Sequence, residues 1–102
     1  MNKYEVMVVL KPLLPDDIRR GTMEKVEKTV KTLKGKVVTS EVWGKRHLAY
    51  EIKGHTDGYY VLWGIELPGE GVVELDKEIK LNSEVLRHII LRTEEFNLKE
   101  IK

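Results

Sequence analysis

The sequence predicts one small α+β domain, a four-stranded antiparallel sheet with two helices on one face. Three observations carry that expectation. At 102 residues the chain has room for one core and not for a second. Its apolar residues change spacing along the chain, from the period of strands to that of helices and back, in the order strand, helix, strand, strand, helix, strand. An apolar fraction of 41% beside 34% charged residues is that of an ordinary folded chain, neither a disordered tail nor a membrane-embedded one.

Residues 4–10 are rich in β-branched side chains, and Val6, Val8 and Leu10 alternate with Met7 and Val9. Both faces are therefore apolar, which describes a central strand. Pro12 and Pro15 end it, and Asp16 or Asp17 is placed to cap the next helix by accepting hydrogen bonds from its free amides. From residue 18 to about 34, Met23, Val26, Val30 and Leu33 fall on one helical stripe. Glu24 with Lys28 and Glu27 with Lys31 are i,i+4 pairs worth about 0.2–0.5 kcal/mol each. Gly35 reads as the helix C-cap.

Residues 36–53 form a long extended run in which Gly44 marks a bulge or a close backbone approach. The cluster Gly54, His55, Thr56, Asp57, Gly58 reads as a turn, and residues 59–67 as a strand with Tyr59, Val61, Trp63, Ile65 and Leu67 on one face. The two runs make a long antiparallel hairpin, closed by Pro68. Gly69 and Gly71 lead into a short helix whose apolar face is Val72, Leu75 and Ile79, and residues 85–92 are the last strand. One domain is expected over residues 1–96, followed by a short polar tail, 97–102. Two split βαβ halves in this order fold most economically as a ferredoxin-like sandwich, which leaves the sheet face away from the helices open.

Several function classes lose their footing in the sequence. There is no cysteine, so disulfides and thiolate metal sites are excluded. His47, His55 and His88 lack the spacing that gathers metal ligands, and no metal site is expected. Neither Ser40 nor Ser83 sits in a nucleophile elbow, and Glu5, Glu41, Glu51 and Glu66 lie on extended stretches where solvated edge positions or cross-strand pairing with lysines explain them. Gly69 and Gly71 lack the continuation of a phosphate loop, and Glu70 stands where a phosphate would sit. An acylphosphatase-type activity needs an arginine in a phosphate-cradling loop after the first strand; here that loop, residues 11–17, holds prolines and acids. No catalytic residue is assigned. Residues 1–5 lack the character of a signal peptide and no apolar run is long enough to span a bilayer, so a cytoplasmic protein with no membrane partner is expected.

The informative stretch is Trp43, Gly44, Lys45, Arg46, His47, Leu48, Ala49, Tyr50. It sets two full positive charges beside a histidine and between two aromatics, a mixture suited to phosphate contact and stacking. A solvated strand with Trp43 and Tyr50 half packed into the sheet is the plainer alternative. The net charge of +1 offers little bulk attraction for nucleic acid, so contact would rest on a local patch. In the last strand Arg87, Ile89 and Leu91 share one face by parity and His88, Ile90 and Arg92 the other. Apolar residues on both faces suggest that a protein partner covers part of the open side.

On these residues the chain resembles the bacterial small-subunit ribosomal protein S6 family. The resemblance covers residues 3 to about 93: Tyr4 and Glu5 before the first apolar strand, residues 43–50, Gly58-Tyr59-Tyr60, Leu67-Pro68, and Leu81-Asn82 with Val85-Leu86-Arg87. It departs at His47, where arginine or lysine is common, and at Glu51, where proline is frequent. The resemblance implies a ferredoxin-like structural protein without enzymatic activity or cofactor. It would be ribosome-associated, binding the central domain of small-subunit ribosomal RNA as a pair with ribosomal protein S18, with no DNA partner. It makes Lys45, Arg46, His47, Arg87 and Arg92 the candidate RNA contacts, and Trp43, Tyr50, Tyr60 and Ile90 candidates for the protein interface. A protein-binding or homo-oligomeric module of the same fold, without RNA, is the alternative.

Overall fold

The structure, a computed structural model, describes residues 1–95; the expected tail, 97–102, lies outside the described residues. Its elements run β1 (Asn2–Leu10), α1 (Asp16–Thr32), β2 (Lys36–Ile52), β3 (His55–Leu67), a single 3-10 turn (Gly69–Gly71), α2 (Val72–Lys80) and β4 (Val85–Thr93). The strands form one antiparallel sheet in the order β2-β3-β1-β4. β1 is thus flanked on both sides, in the central position expected of it.

One face of the sheet carries the core. Tyr4, Val6, Val8 and Leu10 of β1 and Val61, Trp63, Ile65 and Leu67 of β3 pack with Val26 and Val30 of α1 and with Leu75 and Ile79 of α2. Trp63 is fully buried, and its indole Nε1 donates to Glu27 Oε2 of α1 at 2.8 Å, so the one polar atom of the largest core side chain is satisfied.

Three local expectations are corrected. No side chain caps α1: Pro15 precedes it, its carbonyl accepts from the Arg19 amide, and Asp16 instead pairs with Arg19 inside the first turn. At the other end, Gly35 is not the residue that reverses the chain. Lys34 takes the left-handed conformation, with φ 67°, while the Lys34 and Gly35 amides donate to the Lys31 and Val30 carbonyls. Gly35 is glycine for space, because a Cβ there would lie 2.6 Å from both the Glu66 carbonyl oxygen and Leu67 Cδ1. The β2–β3 turn is also tighter than expected. Ile52 faces His55 across Lys53 and Gly54, both at positive φ, which makes a two-residue primed turn and extends β3 back to His55.

The bulge expected at Gly44 is present. Val42 pairs with Val61 and Gly44 with Tyr60, leaving Trp43 as the extra residue, and Gly44 has φ 78°.

Candidate nucleic-acid interface

The register assigns each paired strand residue to a face. On the side away from the helices, the rows read Arg87, Val9, Tyr60, Gly44; then Ile89, Met7, Leu62, Glu41; then Leu91, Glu5, Gly64, Thr39. Beyond the end of β1, Arg46 continues this face opposite Gly58. Side chains alternate along a strand, so Lys45 and Arg46, neighbours in sequence, point to opposite faces.

The hairpin tip is bent, and its register says why. From the pair His47 with Asp57 to the pair Ile52 with His55, β2 takes five steps while β3 takes two. The longer arm must curve over the shorter one. Leu48 lands beside Gly58, against which Val9 also packs; a Cβ on Gly58 would collide with Val9 Cγ1 and lie 3.2 Å from Leu48 Cδ2. Val9, although on the face away from the helices, is 1% exposed. One step further along, Tyr50 reaches across to the opposite edge of the sheet, where Arg87 Nη1 donates to its phenolic oxygen at 2.6 Å.

A second arginine on this face also meets an aromatic group. The Arg46 guanidinium lies 5.1 Å from the centre of the Trp43 ring, and the Trp43 Nε1 donates to Glu41 Oε1 at 3.0 Å. The bulge makes this possible, since the extra residue frees Trp43 from the ladder and turns its ring beneath Arg46. Arg46 and Arg87 are both exposed. Glu41 and the buried Glu5 occupy the next rows, so the two arginines are set apart from these carboxylates at the end of the open face nearest the hairpin tip.

The remaining sequence candidates are placed elsewhere. Lys45 and His47 lie on the helix side of the hairpin with Asp57, whose carboxylate is 3.9 Å from Lys45 Nζ and 2.8 Å from His47 Nδ1. Arg92 sits at the far end of β4, opposite Tyr4, where its Nη2 donates to Asn2 Oδ1 at 3.3 Å. Ile90, opposite Val6, packs against the core, and Tyr60 stands half-buried in the open row with Arg87. The structure therefore gathers Trp43, Arg46, Tyr50, Tyr60 and Arg87 on one face, and leaves Lys45, His47, Ile90 and Arg92 on the other.

Two parts of this arrangement were beyond sequence reasoning. The contact between Tyr50 and Arg87 joins residues 37 positions apart and has no local signal. In sequence Asp57 belongs to the expected turn; a regular register counted back from the Lys53-Gly54 turn pairs it with residue 50, and only the bend at the tip sets it opposite His47. Among the described residues no group of histidines and carboxylates could hold a metal ion, and no helix is long and apolar enough to cross a membrane.

The model of the ribosomal protein S6 family matches residues 3–92. The chain belongs to the ribosomal protein S6 family. A solved 30S ribosomal protein S6 from Thermotoga maritima superposes with a TM-score of 0.85 at 30% identity, over 90% of this chain and 87% of that one. The ferredoxin-like α+β fold expected from the element order is thus the fold of an S6 protein. A second structure, the chemotaxis kinase CheA P2 domain in complex with the response regulator CheY from Thermotoga maritima, matches with a TM-score of 0.63 over 90% of this chain and 98% of that one. At 17% identity it shares the fold alone. Membership of the S6 family makes this a protein of the small ribosomal subunit, in a family of structural, non-enzymatic proteins.

Proposed function

We propose that the chain binds the central domain of small-subunit ribosomal RNA jointly with ribosomal protein S18, with the hairpin end of its open sheet face toward the RNA. The observation that carries this is the meeting of Arg46 and Arg87, from the two edge strands, on one exposed face beside Trp43, Tyr50 and Tyr60. Guanidinium groups donate to phosphate oxygens in forked pairs and aromatic faces stack on unpaired bases. Arg46 and Arg87 are the principal phosphate contacts of this reading. Lys45 and His47, beside Asp57, and Arg92, at the far end of β4, stand at its margin.

The protein partner has its own surface. Met7 and Ile89 are half-buried and Leu91 is 49% exposed on the same face, beyond the arginines. Such a strip gains by being covered. A net charge of +1 gives weak attraction to RNA at a distance, so affinity depends on the two surfaces being used together.

The test compares binding of a central-domain RNA fragment by the chain alone and by its mixture with ribosomal protein S18. Tight, salt-sensitive binding by the pair and weak binding by the chain alone is expected. Equal and negligible affinity in both cases rejects the reading. Self-association or capture of a protein that persists in ribonuclease and high salt would favour the protein-only module instead.

A further inference from the structure

We infer that Tyr50 and Arg87 act as one two-part phosphate clamp, assembled only while the hairpin tip is folded over the sheet, with Trp43 giving Arg46 a matching support. The inference rests on the RNA-binding reading above and assigns to Tyr50 and Trp43 a part in anion recognition.

The chemistry is local. A guanidinium has five N–H donors in a rigid fork, and a phenol has one donor and two acceptor lone pairs. Arg87 Nη1 spends one N–H on a lone pair of the Tyr50 oxygen at 2.6 Å. The phenol's own hydrogen remains to donate, and the positive charge beside it polarises the O–H, making it a stronger donor. The other Arg87 nitrogens are also left to donate, and both side chains are exposed; Tyr50 is 59% exposed. One phosphate oxygen group can then accept from Arg87 and from Tyr50 together. The two residues come from opposite edges of the sheet, on β4 and on the tip of β2, so the clamp depends on the tip staying folded over, with Leu48 beside the side-chain-free Gly58. Arg46 over Trp43 repeats the device at the other edge, with a ring face in place of a hydroxyl.

Order matters for affinity here, since an arginine already held in place loses less rotamer freedom on meeting a phosphate than a free one. Tyr50→Phe removes one oxygen and keeps the ring, and Trp43→Leu removes the ring face that Trp43→Phe retains.

The experiment measures binding of the S18-paired chain to the central-domain RNA fragment for wild type, Tyr50→Phe, Arg87→Ala and the double variant, together with Trp43→Leu, Trp43→Phe and Arg46→Ala. Thermal melts check that each variant is folded. Tyr50→Phe should weaken binding by about fivefold in the wild-type background and have little effect once Arg87 is alanine, because the two residues share one interaction. Trp43→Phe should restore most of what Trp43→Leu loses. Equal losses from Tyr50→Phe in both backgrounds, or none while Arg87→Ala weakens binding, overturn the clamp and leave the RNA-binding reading intact. No binding by the wild-type pair overturns both.

Discussion

Gly35, Lys45 and Arg46 each act through what lies within a few ångströms of them. Gly35 stands where a methyl group would meet the backbone carbonyl of Glu66 and the side chain of Leu67 at 2.6 Å, so its conservation of space is structural. Gly35→Ala should destabilise the domain by about 2 kcal/mol, the usual scale of overpacking, and urea unfolding measures it. Arg46 and Lys45 illustrate how neighbouring charges differ in use. Lys45 already lies near Asp57, whereas Arg46 rests on a neutral ring, so alanine at 46 should lower the slope of RNA affinity against salt by about one phosphate contact and alanine at 45 should barely alter it. Salt titrations of the two single variants decide this, and equal slope changes would show that the faces are not distinguished by the RNA.

At the level of elements, two turns carry lysine where the backbone favours glycine or asparagine. Lys34, at φ 67°, closes α1, and Lys53, at φ 48°, opens the hairpin turn before Gly54. Lys34→Gly and Lys53→Asn should each raise stability by about 0.5–1 kcal/mol, because the left-handed conformation crowds Cβ against the backbone carbonyl; glycine has no Cβ, and the short amide of asparagine offsets the cost by local hydrogen bonding. Thermal unfolding reads both, and a loss of stability would mean that the lysines make compensating contacts. These same turns mark the limit of what the sequence discloses. The strand and helix order, the central place of β1, the buried face of β3 and the bulge at Gly44 all follow from spacing and residue type. Element ends depend on hydrogen bonds that several residue types can satisfy, so Gly35 reads as a cap that Lys34 makes, and the turn expected over residues 54–58 is in fact Lys53 and Gly54. The candidate site was legible as a basic, aromatic stretch. Its division into two faces was not, because one bulge at Trp43 and the uneven hairpin tip reset the alternation on which such reasoning depends.

In the molecule as a whole, the two sides of the sheet have different tasks. Helices α1 and α2 cover one side and complete the core; the other side keeps its edge-strand arginines and its apolar strip available. Stability should be graded in the same way. β1 and β3 are hydrogen-bonded on both sides, whereas β2 and β4 are edges, so amide exchange is expected to be slowest at residues 6–9 and 61–65 and fastest at the hairpin tip. If the tip exchanged as slowly as β1, the bent hairpin would belong to the global fold and not to a locally opening segment. On RNA binding, protection should rise at residues 48–55 more than in the centre of the sheet, since a ligand stabilises the state it selects.

The two tryptophans give the protein a built-in pair of optical probes. Trp63, 1% exposed and hydrogen-bonded to Glu27, senses only the integrity of the interior, while Trp43, half-buried beneath a guanidinium, lies on the face proposed to meet RNA. With either tryptophan replaced by phenylalanine, the fluorescence of the unlabelled chain separates occupancy of the outer face from unfolding of the inner one in the same titration.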